Sequence, residues 1–399
     1  MGGRPPDCSR VPAARTEADT PQSMTHSDRQ QETHIARMES TDARFAKRWD
    51  SFLAQARFGH FQQSHGYAKL QQAAGWVPTF CWVEEDGAIV GGASLLVRRV
   101  QPLGAAIAMI ACGPGWLEGH EGSLGAVLSA VGDQCRRSGV IFCRTNMRCG
   151  NEDYESIRSY LPLNGRQLGH VWSYWNLARD VMQMDISGSR EDTLKGMHRD
   201  TRMKCRRALR RGVSVRAGSL DDLPAFVKLM HRMRTRKKIV VQNQPYFERL
   251  LRTYPSDRTG LLVAEAGAEL IGGAIVVRLG ETAWYLYGTI DYHRRNLYPS
   301  EALQLAMIDW ARERGCKRYD LGGTCTDWPP QETEKGYGVY RFKLRLGADA
   351  VIMAPYVDLV YRPAYYRLAR FAENVGIPLI LEDGLHKFRV IADRLRESH

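Results

Sequence analysis

Residues 83–97 read VEEDGAIVGGASLLV, and residues 264–278 read AEAGAELIGGAIVVR. Laid over one another without a gap, Glu84 meets Glu265, Ile89 meets Leu270, Val90 meets Ile271, and Gly91-Gly92-Ala93 meets Gly272-Gly273-Ala274. Each copy is an apolar run, a Gly-containing turn and a second apolar run, which predicts a β-hairpin. The likeness continues downstream. The first copy leads to GAVLSAVGDQCRRSG (125–139) and the strand-like VIFCRT (140–145). The second leads to ALQLAMIDWARERG (302–315) and CKRYDLGG (316–323). Leu303, Met307 and Trp310 recur at helical spacing, Ser300 is the expected N-cap, Arg312 and Arg314 fall in the last turn, and Gly315 is the expected stop.

The chain therefore uses one α/β unit twice. The order of hairpin, further strand, helix and strand resembles the GNAT acyltransferase fold. The expected class is α/β (α+β), a tandem duplication of a GNAT-like fold with mixed sheets flanked by helices. Residues 1–43, rich in Pro, Ser, Thr, Asp and Gln, predict a disordered segment, because they cannot bury enough apolar surface to offset ordering entropy. Residues 44–179 together with 356–399 form the expected first domain, and 180–355 the second. The stretch after residue 356 reads as helices packing back on the first unit.

With 399 residues, two domains are the prior expectation, and the formal net charge of +12 suits a polyanionic partner or an anionic substrate. No run of eighteen apolar residues occurs, so no transmembrane helix is expected, and no secretory h-region opens the chain. The nine Cys are scattered without a C-x-x-C pair, which speaks against zinc and dithiol chemistry and for reduced thiols in the cytoplasm. No metal site and no cofactor are expected.

The segment TLKGMHRDTRMKCRRALRRG (193–212) places Leu194, Met197, Thr201, Cys205 and Ala208 on one narrow stripe. The other faces of this expected helix carry Lys195, His198, Arg199, Arg202, Lys204, Arg206, Arg207, Arg210 and Arg211, with Asp200 as the one acid. Such self-repulsion is relieved by a nearby polyanion, or is simply a solvated face. The place where a CoA-dependent GNAT enzyme keeps its glycine-rich pyrophosphate turn reads HRRNLYPSEAL in the second unit: the glycines are missing and Pro299 lacks an N–H. The first unit has GPGWLEGHEGSLG there, Gly-rich but without a basic flank. No G-x-S-x-G and no H-E-x-x-H occurs. That suits a reaction with an already activated ester, where orientation and electrostatics suffice. In YRFKLRLGA (340–348), period-two alternation predicts a strand with Arg341, Lys343 and Arg345 on one face, either charge donors to a site or guards on a sheet edge.

Five segments, in order, resemble the Fem family of tRNA-dependent aminoacyltransferases, which build interpeptide side chains of peptidoglycan precursors. They are SHGYAKLQQAAGW (64–76), RMKCRRALRRGV (202–213), Tyr285-Leu286-Tyr287-Gly288-Thr289 followed by RRNLYPS, Tyr319 to Gly323, and Phe342 to Gly347. Tyr67 stands where Trp is usual, and Leu346 replaces a second Phe. The resemblance covers residues 45 to about 370 and fits the short FemX-like form, since no coiled-coil insertion appears. It implies that Lys343 aids catalysis by stabilising charge at the reacting ester, and that Lys69 contacts the precursor's phosphates. It further implies that Arg236, Tyr246, Tyr285 and Tyr287 bind the acceptor, and that Arg199, Arg202, Arg206, Arg207 and Arg210 face tRNA. The implied partners are aminoacyl-tRNA and a peptidoglycan precursor, either UDP-linked or lipid II; the latter would bring the protein to a membrane surface. A small amine in peptide antibiotic biosynthesis is an alternative acceptor. An acyl-CoA-dependent N-acyltransferase and an RNA-binding protein without activity are the alternatives of other classes.

Overall fold

The repeat is realised strand for strand in the computed structural model, which describes residues 32–100, 104–162, 164–168, 180–239, 241–323, 330–333 and 336–374. The first half supplies β1 (Glu32–Arg37), β2 (Val77–Glu85), β3 (Ala88–Val100), β4 (Ala105–Ile110), β5 (Gly115–Trp116), β6 (Val140–Thr145) and β7 (Gly165–Leu168). Its helices are α1 (Ala43–Gln55), α2 (His65–Gln72), α3 (Ser123–Arg137) and α4 (Asn151–Ile157). The second half supplies β8 (Val181–Asp185), β9 (Val213–Ala217), β10 (Thr259–Ala266), β11 (Glu269–Leu279), β12 (Thr282–Ile290), β13 (Arg318–Gly323) and β14 (Asp349–Val351). Its helices are α5 (Arg190–Gly196), α6 (Arg199–Arg210), α7 (Leu223–Lys237), α8 (Gln244–Thr253), α9 (Pro299–Glu313) and α10 (Tyr337–Arg345). Then come β15 (Tyr356–Val360) and α11 (Pro363–Asn374).

One sheet runs β1-β2-β3-β4-β6-β15-β7, with the short β5 on β3; the other runs β9-β10-β11-β12-β13-β8-β14. Among the described residues, the only parallel pair in each is the fourth strand against the fifth, β4 with β6 and β12 with β13. The hairpins match in detail. A bulge interrupts the register after Val83 in one and after Ala264 in the other, at the aligned positions of the repeat. The paired glycines have one purpose in both copies. A Cβ on Gly91 would lie 2.2 Å from Ser123 Oγ on α3, and one on Gly273 would lie 2.7 Å from the Phe226 ring on α7. Gly92 and Gly272 repeat this against Trp49 and Leu303. A hydrogen side chain on each face is what lets helices close on both sides of the central strand.

The two sheets exchange strands. The chain leaves β7 in the first sheet and enters β8 in the second; it leaves β14 in the second and enters β15 in the first. β15 occupies the place between β6 and β7 that β8 occupies between β13 and β14. A shared apolar core joins the halves, with Trp49, Phe61, Phe80, Phe226, Phe247 and Trp284 in one cluster. Polar links cross it too: Ser64 Oγ and Tyr254 Oη lie 2.9 Å apart, and Arg258 pairs with Asp50. α11 is fastened to the first sheet by a buried ion network. Arg144 on β6 meets Asp358 on β15 through Nε and Nη2 at 2.8 and 2.9 Å, and Glu373 on α11 through Nη1 at 2.9 Å. All three side chains are wholly inaccessible to solvent.

Several expectations need correction. Residues 32–37, within the segment read as disordered, form edge strand β1 paired with β2; residues 1–31 lie outside the described residues. The chain after 356 opens with a strand, because VDLV is an apolar-flanked run that completes a sheet; the helices expected over 375–399 lie outside the described residues. Residues 193–212 are not one helix. Met197 takes ψ of 145° and ends α5, and α6 restarts behind the His198 side chain, which accepts from the Asp200 N–H. The stripe itself holds: Leu194, Met197, Thr201, Cys205 and Ala208 are all buried. α9 begins at Pro299 behind Tyr298, one residue before the expected cap at Ser300. The largest correction is residues 340–348, expected as a strand and found in α10 and the turn after it. Phe342 and Leu346, four apart, pack on the second core, while Leu344 is exposed. Helical spacing fits those positions as well as alternation does.

Candidate active site

Parallel strands that part company leave a notch between their carbonyl-rich ends. β4 and β6 stay paired from Ala106–Val140 to Ile110–Thr145. β12 and β13 pair only over Thr282–Trp284 with Arg318–Asp320, and then diverge. The opening lies between Tyr285 onward and Leu321–Gly323, in the second half only. Lys343 stands at its end. Its side chain, 6 % exposed, donates from Nζ to the Gly323 carbonyl at 2.6 Å. The helical correction is thus what brings Lys343 inward. On an edge strand it would have been a surface charge.

β12 carries a bulge at the notch. Ile275 pairs with Tyr287 and Val276 with Tyr285, leaving Leu286 as the extra residue. Two residues apart, Tyr285 and Tyr287 would share a face of a regular strand; the bulge puts them on different ones. Tyr285 packs with the core under α9, and burial pushes its phenol up to about 12. Its ring lies over Gly288, where a Cβ would come within 2.1 Å of Oη. Tyr287 faces α8. Its hydroxyl donates to Tyr246 Oη at 3.0 Å, and its ring meets Phe247 edge-on at 5.0 Å. The Asn243 side chain caps α8 by accepting from the Tyr246 N–H, which fixes that ring's start point.

The predicted binding residues therefore separate. Tyr246 and Tyr287 come together. Tyr285 lies across the sheet from them. Lys69 is exposed in the last turn of α2, a helix that packs on α8. Arg236 ends α7 and stacks its guanidinium on Tyr292 at 4.0 Å, with Arg295 on the same ring at 4.1 Å. Of the five α6 arginines, Arg202 is half-buried and donates to the Leu194 and Lys195 carbonyls, closing the end of α5. Arg199, Arg206, Arg207 and Arg210 are exposed and, among the described residues, make no ion pair. Lys204 pairs with Glu301 on α9 at 3.3 Å, a partner distant in sequence that the charge-run reading missed.

The turn corresponding to a pyrophosphate cradle has another form in the second half. Residues Tyr292–Leu297 form a 3-10 turn, Tyr298 takes the left-handed conformation, and Lys204 and Arg211 stack on its ring. Across the notch the first half presents polar side chains absent from the sequence reading. His60 is buried with its ring edge against Trp284, and burial first, then Arg148, holds its imidazole well below its ordinary value. Its Nδ1 accepts from the Gln62 N–H at 3.2 Å. Cys112 Sγ donates to Gln62 Oε1 at 2.9 Å, and its N–H donates to Asn146 Oδ1 at 2.8 Å. Burial pushes the Cys112 thiol up to about 11, so it is an inert thiol rather than a nucleophile. Among the described residues no helix is long and apolar enough to cross a membrane.

Comparison with known proteins agrees with this fold. Residues 196–343 match the family model of an acetyltransferase (GNAT) domain. The chain is 27% identical over 291 residues to a UDP-N-acetylmuramoylpentapeptide-lysine N(6)-alanyltransferase of Weissella viridescens, covering 71% of this chain and 85% of that one. It is 21% identical over 390 residues to a lipid II:glycine glycyltransferase of Staphylococcus haemolyticus, covering 80% and 92%. A crystal structure of FemX superposes with a TM-score of 0.75 at 20% identity, over 81% of this chain and 98% of that one. In its order of motifs, its relatives and its duplicated GNAT frame, this chain is similar to the Fem-family transferases.

Proposed function

We propose that this protein transfers an aminoacyl group from aminoacyl-tRNA to an amine of a peptidoglycan precursor. The observation that carries the reading is the notch between β12 and β13 with the Lys343 ammonium at its end. An ester carbonyl seated there meets a cation in a largely dry site, where a charge counts for more than in water. The acceptor amine attacks the ester carbon and a C–N bond forms. The carbonyl oxygen gains negative charge beside Lys343. The C–O bond to the ribose then breaks, and the departing oxygen takes the proton the amine gives up. No covalent enzyme intermediate is required, which accords with the inert buried thiols. Arg199, Arg206, Arg207 and Arg210 on α6 supply the phosphate-facing surface for tRNA. Tyr246 and Tyr287, with Lys69 on the neighbouring helix, lie on the acceptor side, while Tyr285 supports the notch from the opposite face and Arg236 the rim.

The residue division 44–179 with 356–399 against 180–355 is read as two GNAT-like units, the notch lying in the second. The turn at 292–298, without glycine and followed by Pro299, which has no N–H to offer at the start of α9, speaks against CoA as donor. The wall precursors named for the relatives favour a precursor acceptor over an antibiotic amine and support a cytoplasmic reaction, at a membrane surface if lipid II is used. The test mixes the protein with total tRNA charged with radiolabelled amino acids, one at a time, and a UDP-linked muramyl pentapeptide. RNase-sensitive transfer of label to the pentapeptide is expected. Bound charged tRNA with no transfer to this acceptor, nor to lipid II in vesicles, refutes the reading.

A further inference from the structure

β13 carries, within the Tyr319 to Gly323 motif, a carboxylate to which the sequence alone assigned no role. Asp320 is 1 % exposed. Its Oδ1 accepts from the Gly322 N–H at 2.6 Å, and its Oδ2 accepts from Nε2 of Gln183, on the exchanged strand β8, at 2.9 Å. A guanidinium nitrogen of Arg148, from the segment after β6 in the other half, lies 4.0 Å from that Oδ2. Gly322 has φ of +76°, the left-handed region open to glycine, so the turn is one the carboxylate can pin from inside. The next carbonyl along, Gly323, is the one that accepts Lys343. Contacts thus run without a gap from Arg148 through Asp320 and the Gly322-Gly323 turn to the ammonium.

We propose that Asp320 is a positioning residue for Lys343, with Arg148 as its counter-ion across the two halves. Holding the Gly322 N–H sets the direction of the Gly323 carbonyl. That carbonyl takes one ammonium proton and so sets where the others point. An ester oxygen in the notch is met by a cation already aimed, and orientation of that kind is worth about 100-fold when lost by an ångström. The bland alternative is that Asp320 only caps its own turn. It differs in consequence, because a cap that merely supports folding acts independently of Lys343. The inference rests on Lys343 serving transfer as proposed above.

Two measurements decide it. The first needs no substrate: acetylation of Lys343 by an N-hydroxysuccinimide ester, followed by peptide mass spectrometry on the folded full-length protein. Asp320→Asn is expected to speed labelling at Lys343 by about tenfold, as the pinned geometry is released. A rate within twofold of wild type at Lys343 overturns the proposal. The second is a double-mutant cycle in the transfer assay. Asp320→Asn is expected to lower kcat about 10- to 100-fold with KM for charged tRNA within twofold, and to have little further effect in a Lys343→Ala background. Losses that multiply in full overturn it. Arg148→Met, which leaves the turn untouched, gives the same pattern more weakly and replaces Asp320→Asn if that variant does not fold. A wild type that transfers nothing defeats the proposed function instead, and the labelling still decides the positioning.

Discussion

Replacing Lys343 by Met keeps most of the stem that α10 buries and removes the ammonium. Nζ lies 2.6 Å from the Gly323 carbonyl at the end of the notch, in a side chain 6 % exposed, so the donor is fixed and mostly dry. Loss of one such donor to a developing oxyanion costs about 100- to 1,000-fold in kcat, or roughly 2.7–4 kcal/mol. Stability changes less. The Gly323 carbonyl loses a charged donor, a cost of about 1–3 kcal/mol, but a cation no longer has to be held out of water. The melting temperature should therefore move by only a few degrees while turnover falls by two to three decades. Single-turnover transfer at saturating charged tRNA and acceptor reads the first quantity, and calorimetry the second. Filter binding of charged tRNA should be unchanged, since α6 carries that contact. A kcat within threefold of wild type removes Lys343 from the mechanism and with it the case for the notch.

Changing Arg206, Arg207 and Arg210 together to Gln should weaken tRNA binding and shrink the slope of log K against log salt by about 2 to 3, one phosphate contact each; an unchanged slope moves the tRNA to another face. Arg144→Met removes the buried guanidinium that Asp358 and Glu373 share, leaving Tyr366 on the first and Arg370 on the second. Breaking such a network should cost about 3–5 kcal/mol and lower the melting temperature by roughly 10 °C, and a shift under 2 °C would show that the network contributes nothing net. His60 is held neutral in the fold, so below its ordinary value of 6.5 the unfolded chain binds a proton that the native one does not. Stability should fall as pH drops from 6.5, by at most about 1.4 kcal/mol per pH unit. His60→Asn should flatten that slope in urea melts, and an unaltered slope assigns it to other groups.

The duplication was legible because close helix packing on both faces of a central strand demands small residues, and Gly91-Gly92 and Gly272-Gly273 write that demand into the sequence twice. The stripe from Leu194 to Ala208 was legible for a similar reason: burial needs a period, and the period shows. The break at Met197 follows Gly196, a helix-weakening residue that the stripe reading ran through. Tertiary contact holds it as well, the His198 N–H donating to the Arg345 carbonyl at the end of α10. Lys343 was found and its setting misread, since Phe342, Leu344 and Leu346 satisfy alternation while Phe342 and Leu346 alone satisfy a helix. Asp320, Gln183 and Arg148 come from three distant segments, and their types in isolation say nothing. The same holds for the bulge at Leu286, which separates two tyrosines that a plain strand reading would place side by side.

The exchange of β8 and β15 between the sheets bears on how the chain is made. When a ribosome has delivered the first 180 residues, the first sheet still lacks the strand that belongs between β6 and β7. The edge of β6, with Phe142 and Arg144 in it, has no neighbour until residue 360 emerges. The second half is no quicker to close, since its own β8 waits for β13 and β14, the last of which ends at Val351. Both sheets are thus completed only when nearly the whole chain has been made. Contacts such as Arg144 to Glu373 span 229 residues, and pairing over such separations is slow and exposes apolar edges meanwhile. A chain cut near residue 180 would be half a sheet looking for its missing strand, and it should aggregate rather than fold as a small stable domain.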